Sequence, residues 1–231
     1  MRRFLAGLLL LALPATAGAQ TTSCRVPDRL AMPAAPERAG PSRTVPVQGY
    51  LLSLSWSPQF CRGRSAARLE PDQCGQGAGH FGFILHGLWP QGRGNAHPQY
   101  CRQAGPVPES VARQNFCAMP SARLQQHQWT KHGACAFARA DDYLAAGTGL
   151  YEALRFPDMK RLAQDRTLTS GKLAAAFAAA NRGIRPDMVQ VYTADGGWLR
   201  EVRICLNKRF RPQPCRTRPS TSQTVRIWVS R

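Results

Sequence analysis

The chain has 231 residues, eight cysteines and a formal net charge of +18. This length suits one domain with a buried core, and no apolar run beyond residue 19 is long enough to cross a bilayer. So large a positive charge points to a polyanionic partner or surface, such as nucleic acid, anionic lipid or acidic polysaccharide. Selection for solubility in an arginine-rich composition explains the same charge, so the charge by itself does not identify the partner.

Residues 1–19 have the order of regions that is typical of a secretory signal peptide. Two arginines follow the initial Met, residues 4–13 are apolar, and Ala17-Gly18-Ala19 is a small-residue cleavage site. The sequence therefore predicts cleavage after Ala19 and export to the periplasm or the extracellular space. The alternative is a buried N-terminal helix.

The even number of cysteines in a chain predicted to be exported indicates disulfides, because oxidising compartments preserve them. The cysteines alone leave the pairing open. They contain no CxxC pair of the kind that zinc sites use.

The first half of the chain is predicted to be mostly strand and loop. Residues 20–47 are rich in Pro and Ala and predict an irregular N-terminal arm. The alternating segment 50–56 predicts a half-buried strand, and the apolar run 81–85 predicts a central strand. The segments 61–80 and 92–107 predict loops.

Helices are predicted in the middle of the chain, and strands return towards its end. The helices are expected at 108–116, 122–132, 140–154, 158–165 and 171–181, and the strands at 188–193, 198–206 and 223–229. This order predicts a single disulfide-stabilised α+β domain, with a largely antiparallel central sheet flanked by helices. We expect a monomer.

Two segments hold four of the five histidines, and three of these, His86, His127 and His132, are candidate site residues. The first, HFGFILHGLWPQ, places His86 at the end of the predicted strand, where Gly87 is expected to release the backbone. The second is HQWTKHGAC. On a helix that turns about 100° per residue, His127, Lys131 and His132 share one side with the Gln that follows His127.

A shared polar side can line a cleft, although solvent exposure alone produces the same pattern. The five-residue spacing of the two histidines also differs from the HExxH zinc motif, in which the histidines are four apart and Glu lies between them. We therefore expect neither a metal site nor a cofactor.

FILHGLWPQ and HQWTKHGAC resemble the two active-site segments of the ribonuclease T2 family, which read roughly FxxHGLWP and HEWxKHGxC. Weaker similarity in SWSPQFC, in the cysteine layout and in the ICLN strand extends over most of the mature chain. The resemblance implies a secreted endoribonuclease that acts on RNA without a metal.

The resemblance implies a role for four residues of these segments. His86 matches the histidine that protonates the departing 5′-oxygen, and His132 matches the one that takes the proton from the ribose 2′-hydroxyl. Lys131 matches the lysine that stabilises the phosphorane, and His127 matches the histidine that helps to hold the phosphate.

Three further positions follow from the same comparison. Trp89 matches the tryptophan on which a base stacks, and Tyr100 is, on a looser alignment, a second base-binding aromatic. Gln128 departs from the family, which has Glu there. Because a carboxylate at this position would tune the neighbouring lysine and histidine, we expect its loss to lower the rate or shift the pH optimum without abolishing activity.

The chemistry of RNA cleavage requires these residue types. RNA supplies its own nucleophile, so one group must accept a proton while another donates one, and His suits both tasks. A fixed ammonium stabilises charge on the phosphoryl oxygens. The expected products are a 2′,3′-cyclic phosphate and then a 3′-phosphate. The competing interpretations are a non-catalytic RNA- or polyanion-binding protein, a metal-dependent phosphodiesterase and a disulfide scaffold.

The resemblance also implies disulfides. It suggests a bridge between Cys101 and Cys135, and a C-terminal bridge between Cys205 and Cys215. The other four cysteines would pair among themselves, with Cys117 expected to bond to Cys74 or Cys61; these four are Cys24, Cys61, Cys74 and Cys117.

Overall fold

The structure is a computed structural model that describes residues 21–34, 40–63, 65, 68, 70–75, 77–94 and 96–229. The predicted signal peptide at 1–19 lies outside the described residues.

The described part of the chain contains six strands and seven α-helices. The strands are β1 (Thr21–Cys24), β2 (Gly49–Trp56), β3 (Gly79–Phe81), β4 (Phe83–Gln91), β5 (Val189–Ala194) and β6 (Trp198–Leu206). The helices are α1 (Ser57–Phe60), α2 (Pro71–Cys74), α3 (Glu109–Gln114), α4 (Ala122–Lys131), α5 (Ala140–Glu152), α6 (Met159–Leu162) and α7 (Ser170–Ala180). The predicted α+β class is confirmed.

A four-stranded antiparallel sheet in the order β4-β2-β6-β5 forms the centre of the molecule. Its apolar face carries residues such as Leu52 and Leu54, which are almost fully buried, and the helices α5 and α7 pack against β4 and β5. Partners in an antiparallel ladder point to the same face, so Ser53 lies beside Arg203, and Ser55 beside Glu201, on the opposite face. The second face of the sheet is therefore polar.

Strand β4 has an irregularity at His86. Leu85 pairs with Leu54 and Gly87 pairs with Ser53, so His86 is an extra residue in the ladder. Such a β-bulge redirects a side chain without ending the strand. The expectation that the strand ends at His86 was wrong, because pairing with β2 resumes at Gly87 and continues to Gln91.

Three further regions differ from the sequence-based expectation. The arm 20–47 is not wholly irregular, because β1 pairs with β3, and the segment 61–80 contains α2. The predicted strand at 223–229 makes only isolated bridges, such as that of Arg226 with Trp198. Its alternating apolar side chains are buried against the core without forming a ladder, so the alternation did not require a strand.

Four disulfides stabilise the fold. They join Cys24 to Cys117, Cys61 to Cys74, Cys101 to Cys135 and Cys205 to Cys215. The last two confirm the expected bridges, whereas the expected partner of Cys117 was wrong. The helix α2 ends beside the C-terminus of α1, which brings Cys74 to Cys61 and leaves Cys117 for the end of β1.

Removal of the disulfides should destabilise the protein in the order of loop length, because a cross-link restricts the unfolded chain more when it closes a longer loop. The bridge from Cys24 spans 93 residues and the bridge from Cys205 spans 10. Replacing both cysteines by Ser should lower the free energy of unfolding by about 4–5 kcal/mol for the first pair and by about 2–3 kcal/mol for the second. Urea unfolding of the two double variants measures this, and a larger loss for the shorter loop would contradict it.

Candidate active site

The two histidine-containing segments meet on the polar face of the sheet. The imidazole of His86 lies edge-on to the indole of Trp89, with ring centroids 5.1 Å apart. The imidazole of His132 is stacked on the same indole at 5.4 Å. Both rings are partly exposed. The structure thus brings together two histidines that the sequence places in separate elements.

A hydrogen bond joins the strand to the helix at this point. The indole Nε1 of Trp89 donates to Oε1 of Gln128 at 2.7 Å, and the amide of Gln128 is buried. Gly87 makes this approach feasible: a Cβ on Gly87 would lie 2.7 Å from the indole nitrogen and closer still to Oε1 of Gln128. Gly87 therefore leaves room for Trp89 and Gln128 to meet.

The helix α4 ends directly before His132. Ser121 caps its N-terminus by accepting from the backbone N–H of Leu124, and His132 is the first residue after its last turn. Gly133 follows, and a Cβ there would collide with the ring of Tyr143 at 2.6 Å. A short 3₁₀ turn then leads to Cys135, whose disulfide fixes this end of the helix.

His86 interacts with a carboxylate. Its Nδ1 lies 2.6 Å from Oε2 of Glu201, which is only 4% exposed. Burial by itself raises the pKa of Glu201, but the hydrogen bonds and positive charges of His86 and Arg203 outweigh it and lower that pKa to about 2. Because an ionised carboxylate only accepts hydrogen bonds, Nδ1 of His86 is the donor.

His132 lies in the opposite electrostatic environment. Burial and the positive charges of Lys131, His127, His86 and His97 lower the pKa of His132 to about 3. Its Nδ1 is buried, and no partner for it occurs among the residues that the structure describes. In the free protein the ring is thus neutral near pH 7.

His127 and Lys131 are one helical turn apart on α4. His127 is exposed, and its pKa is lowered by partial burial and by the charges of Lys131, His86 and Arg123. Lys131 thus places a positive charge beside both His127 and His132. The structure thus brings together the four basic residues that the sequence nominated.

Arg203 extends this positive charge along the sheet. Its guanidinium lies 4.6 Å from the centroid of Trp89 and 4.0 Å from that of Tyr192. A base that stacks on Trp89 must therefore replace an existing contact, and base stacking there stays a prediction. Beside Arg203, a cavity of about 140 Å³ is lined by polar groups that include His97 and Arg216.

Tyr100 does not offer a base-binding surface in this structure. It is only 4% exposed, its ring contacts Gly40, and its backbone N–H donates to the carbonyl of Lys131 at 2.8 Å. The expected base-binding role is therefore not supported, because a buried ring has no free face. Its observed contacts hold the chain against the end of α4.

Sequence reasoning missed Glu201 and Arg203. Both lie in WLREVRICL on β6, more than a hundred residues from His86. The charged side chains alternate with Val202 and Ile204, as in any strand with one polar face. The only available signal for this part of the site was the carboxylate of Glu201, in a strand that is otherwise largely buried.

No helix among the residues that the structure describes is long and apolar enough to span a membrane. In the same part of the chain, no group of three or more His, Cys, Asp and Glu side chains is arranged to hold a metal ion.

The fold and the site define an α+β protein with two imidazoles on one indole, beside the cations Lys131 and Arg203. The sequence model of the Ribonuclease T2 family matches residues 47–215. The chain therefore belongs to the Ribonuclease T2 family.

Individual relatives agree with this assignment. A probable ribonuclease of Haemophilus influenzae is 31% identical over 199 residues, which cover 79% of this chain and 66% of that protein. A ribonuclease of Aeromonas hydrophila is 32% identical over 166 residues, which cover 69% of this chain and 71% of that protein.

Solved structures show the same fold. Trichomaglin, described as a novel S-like ribonuclease, has a TM-score of 0.60 at 19% identity over 78% of this chain and 97% of that chain. RNase NT in complex with 5′-AMP has a TM-score of 0.56 at 16% identity over 78% of this chain and 98% of that chain.

The low pKa of His132 predicts a change of stability with pH. Its folded value of about 3 lies below the ordinary value of 6.5, so unfolding takes up a proton in this range, and stability falls as the pH falls below about 6.5. Between about pH 5 and 6, above the range in which Glu201 titrates, His132→Asn should reduce the slope of the unfolding free energy by up to about 1.4 kcal/mol per pH unit. Urea unfolding at several pH values measures the slope, and an unchanged slope would contradict the lowered pKa of His132.

Proposed function

We propose that the protein is an endoribonuclease that cleaves single-stranded RNA without a metal. The reaction is transesterification to a 2′,3′-cyclic phosphate, followed by hydrolysis to a 3′-phosphate. The observation that carries the proposal is the pair of imidazoles on Trp89 in opposite electrostatic surroundings, because such pairs divide acid and base roles. The relatives named ribonucleases and the membership of the T2 family support it.

The first step uses the two histidines together. His132, neutral in the free protein, accepts the proton of the ribose 2′-hydroxyl while the 2′-oxygen attacks phosphorus. His86, whose Nδ1 is hydrogen-bonded to Glu201, donates a proton from Nε2 to the 5′-oxygen as the P–O5′ bond breaks. Lys131 and His127 stabilise the negative charge on the phosphoryl oxygens. In the second step a water replaces the 5′-hydroxyl and the proton transfers are reversed.

We further propose that the protein is exported and acts in the periplasm or outside the cell. The four disulfides support an oxidising compartment, and residues 1–19 have the order of a signal peptide. N-terminal sequencing of the secreted protein tests the cleavage after Ala19.

The first test is incubation with RNA and with DNA of the same sequence in the presence of a chelator. We expect RNA fragments with cyclic-phosphate and then 3′-phosphate ends, and intact DNA, because DNA lacks the 2′-hydroxyl. His86→Ala and His132→Ala should each lower kcat/KM by about 10²–10⁴-fold, as the loss of a general acid or base does. His80→Ala, which removes an exposed histidine of β3, is the matched control.

Three outcomes contradict the proposal in different ways. RNA that is bound but not cut indicates a polyanion-binding protein. Activity that stops in chelator indicates a metal-dependent phosphodiesterase. RNA that is neither bound nor cut indicates a purely structural protein, the disulfide scaffold.

Gln128→Glu should raise the activity, by about tenfold if the new carboxylate acts as a typical positioned acid–base group. A carboxylate can still accept the hydrogen bond from Trp89, and it adds a negative charge beside Lys131 and His132. Steady-state kinetics on a dinucleotide measure the change, with Gln114→Glu on α3 as a control for added charge. A fall in activity would show that the site is adapted to the neutral amide.

A further inference from the structure

Glu201 and Arg203 form a hydrogen-bonded chain with His86. One carboxylate oxygen of Glu201 accepts from Nδ1 of His86, and the other accepts from Nε of Arg203. Arg203 is in turn held between the rings of Trp89 and Tyr192. Both carboxylate oxygens are thus engaged, and the carboxylate has one orientation.

On the basis of the proposed function, we propose that Glu201 is the positioning residue for His86. Its carboxylate holds Nδ1–H so that Nε2 alone exchanges protons with the substrate, and Arg203 holds the carboxylate in place. The arrangement follows the general rule that the partner of one imidazole nitrogen decides the chemistry of the other.

The sheet is built to allow this contact. The strand β2 lies between β4 and β6, so a side chain from β6 must cross β2 to reach His86. The residues of β2 that point to this face beside Glu201 and Arg203 are Ser55 and Ser53, whose small side chains leave the passage open. The bulge at His86 brings its ring to the other end of the same passage.

The proton that Glu201 holds on Nδ1 of His86 matters in both steps of the reaction. In the first step the protonated ring gives its Nε2 proton to the 5′-oxygen and keeps the proton on Nδ1. The neutral ring then has a lone pair on Nε2, which accepts a proton from the water that attacks the cyclic phosphate. A neutral ring with its proton on Nε2 could not perform this second transfer.

Glu201→Gln is expected to reverse this preference. Arg203 remains a donor and binds the amide oxygen of the new glutamine. The amide NH₂ then faces Nδ1 of His86. Nδ1 must then accept, and the neutral ring carries its proton on Nε2. The substitution keeps the size of the side chain, so it tests the charge and the direction of the hydrogen bond rather than the packing.

The kinetic test compares two substrates that differ in their leaving group. A dinucleotide loses a 5′-alkoxide and needs the acid, whereas a nucleoside 3′-(4-nitrophenyl phosphate) loses a weakly basic phenolate and does not. We expect Glu201→Gln to lower kcat on the dinucleotide by about 10–100-fold, to lower kcat on the aryl ester by less than about threefold, and to leave KM unchanged. Glu109→Gln, a change of an exposed carboxylate on α3, is the matched control.

A spectroscopic readout separates this inference from the proposed function. Long-range ¹H–¹⁵N spectra of the histidine rings above pH 8 should show the proton of His86 on Nδ1 in the unaltered protein and on Nε2 in Glu201→Gln, with His86→Asn providing the assignment. This measurement needs no catalysis, so it tests the role of Glu201 even if the protein does not cleave RNA.

Two results would overturn the inference while leaving the ribonuclease proposal intact. One is an equal loss of activity on the dinucleotide and on the aryl ester, which indicates a general structural role for Glu201. The other is an unchanged tautomer in Glu201→Gln. Urea unfolding of the variant confirms that the tests are made on folded protein.

Discussion

The hydrogen bond from Trp89 to Gln128 is the contact on which the geometry of the site depends. It joins β4 to α4, the elements that carry His86 and His132, across the polar face of the sheet. A single indole therefore sets the separation of the two imidazoles. Gly87 permits the contact because it has no Cβ, and any larger residue there would push the strand and the helix apart.

Tyr143 on α5 supports the same junction from the other side. Its hydroxyl accepts from the backbone N–H of Leu88, and its ring packs against Gly133 directly after His132. One side chain from the core thus contacts both histidine-bearing segments. The contact with Tyr143 explains the glycine at 133, as the hydrogen bond between Trp89 and Gln128 explains the glycine at 87.

The parts of the site that the sequence predicted are those whose signal is local. His86, Lys131 and His132 lie within short motifs, and the strand and helix that carry them follow from periodicity. Glu201 depends on the order of the strands in the sheet and on the bulge at His86, and neither of these is visible in residue spacing. The same reason explains the wrong partner of Cys117: its bridge depends on where β1 lies beside β3.

The positive charges around His132 are those of a site that binds an anion. Burial and neighbouring cations lower its pKa to about 3, which makes it a weak base in the free protein. On the proposed mechanism, a phosphodiester bound beside Lys131 and His127 brings a negative charge that offsets the repulsion from the cations, while the contribution of burial remains. The substrate itself then makes His132 more basic at the moment when a base is needed.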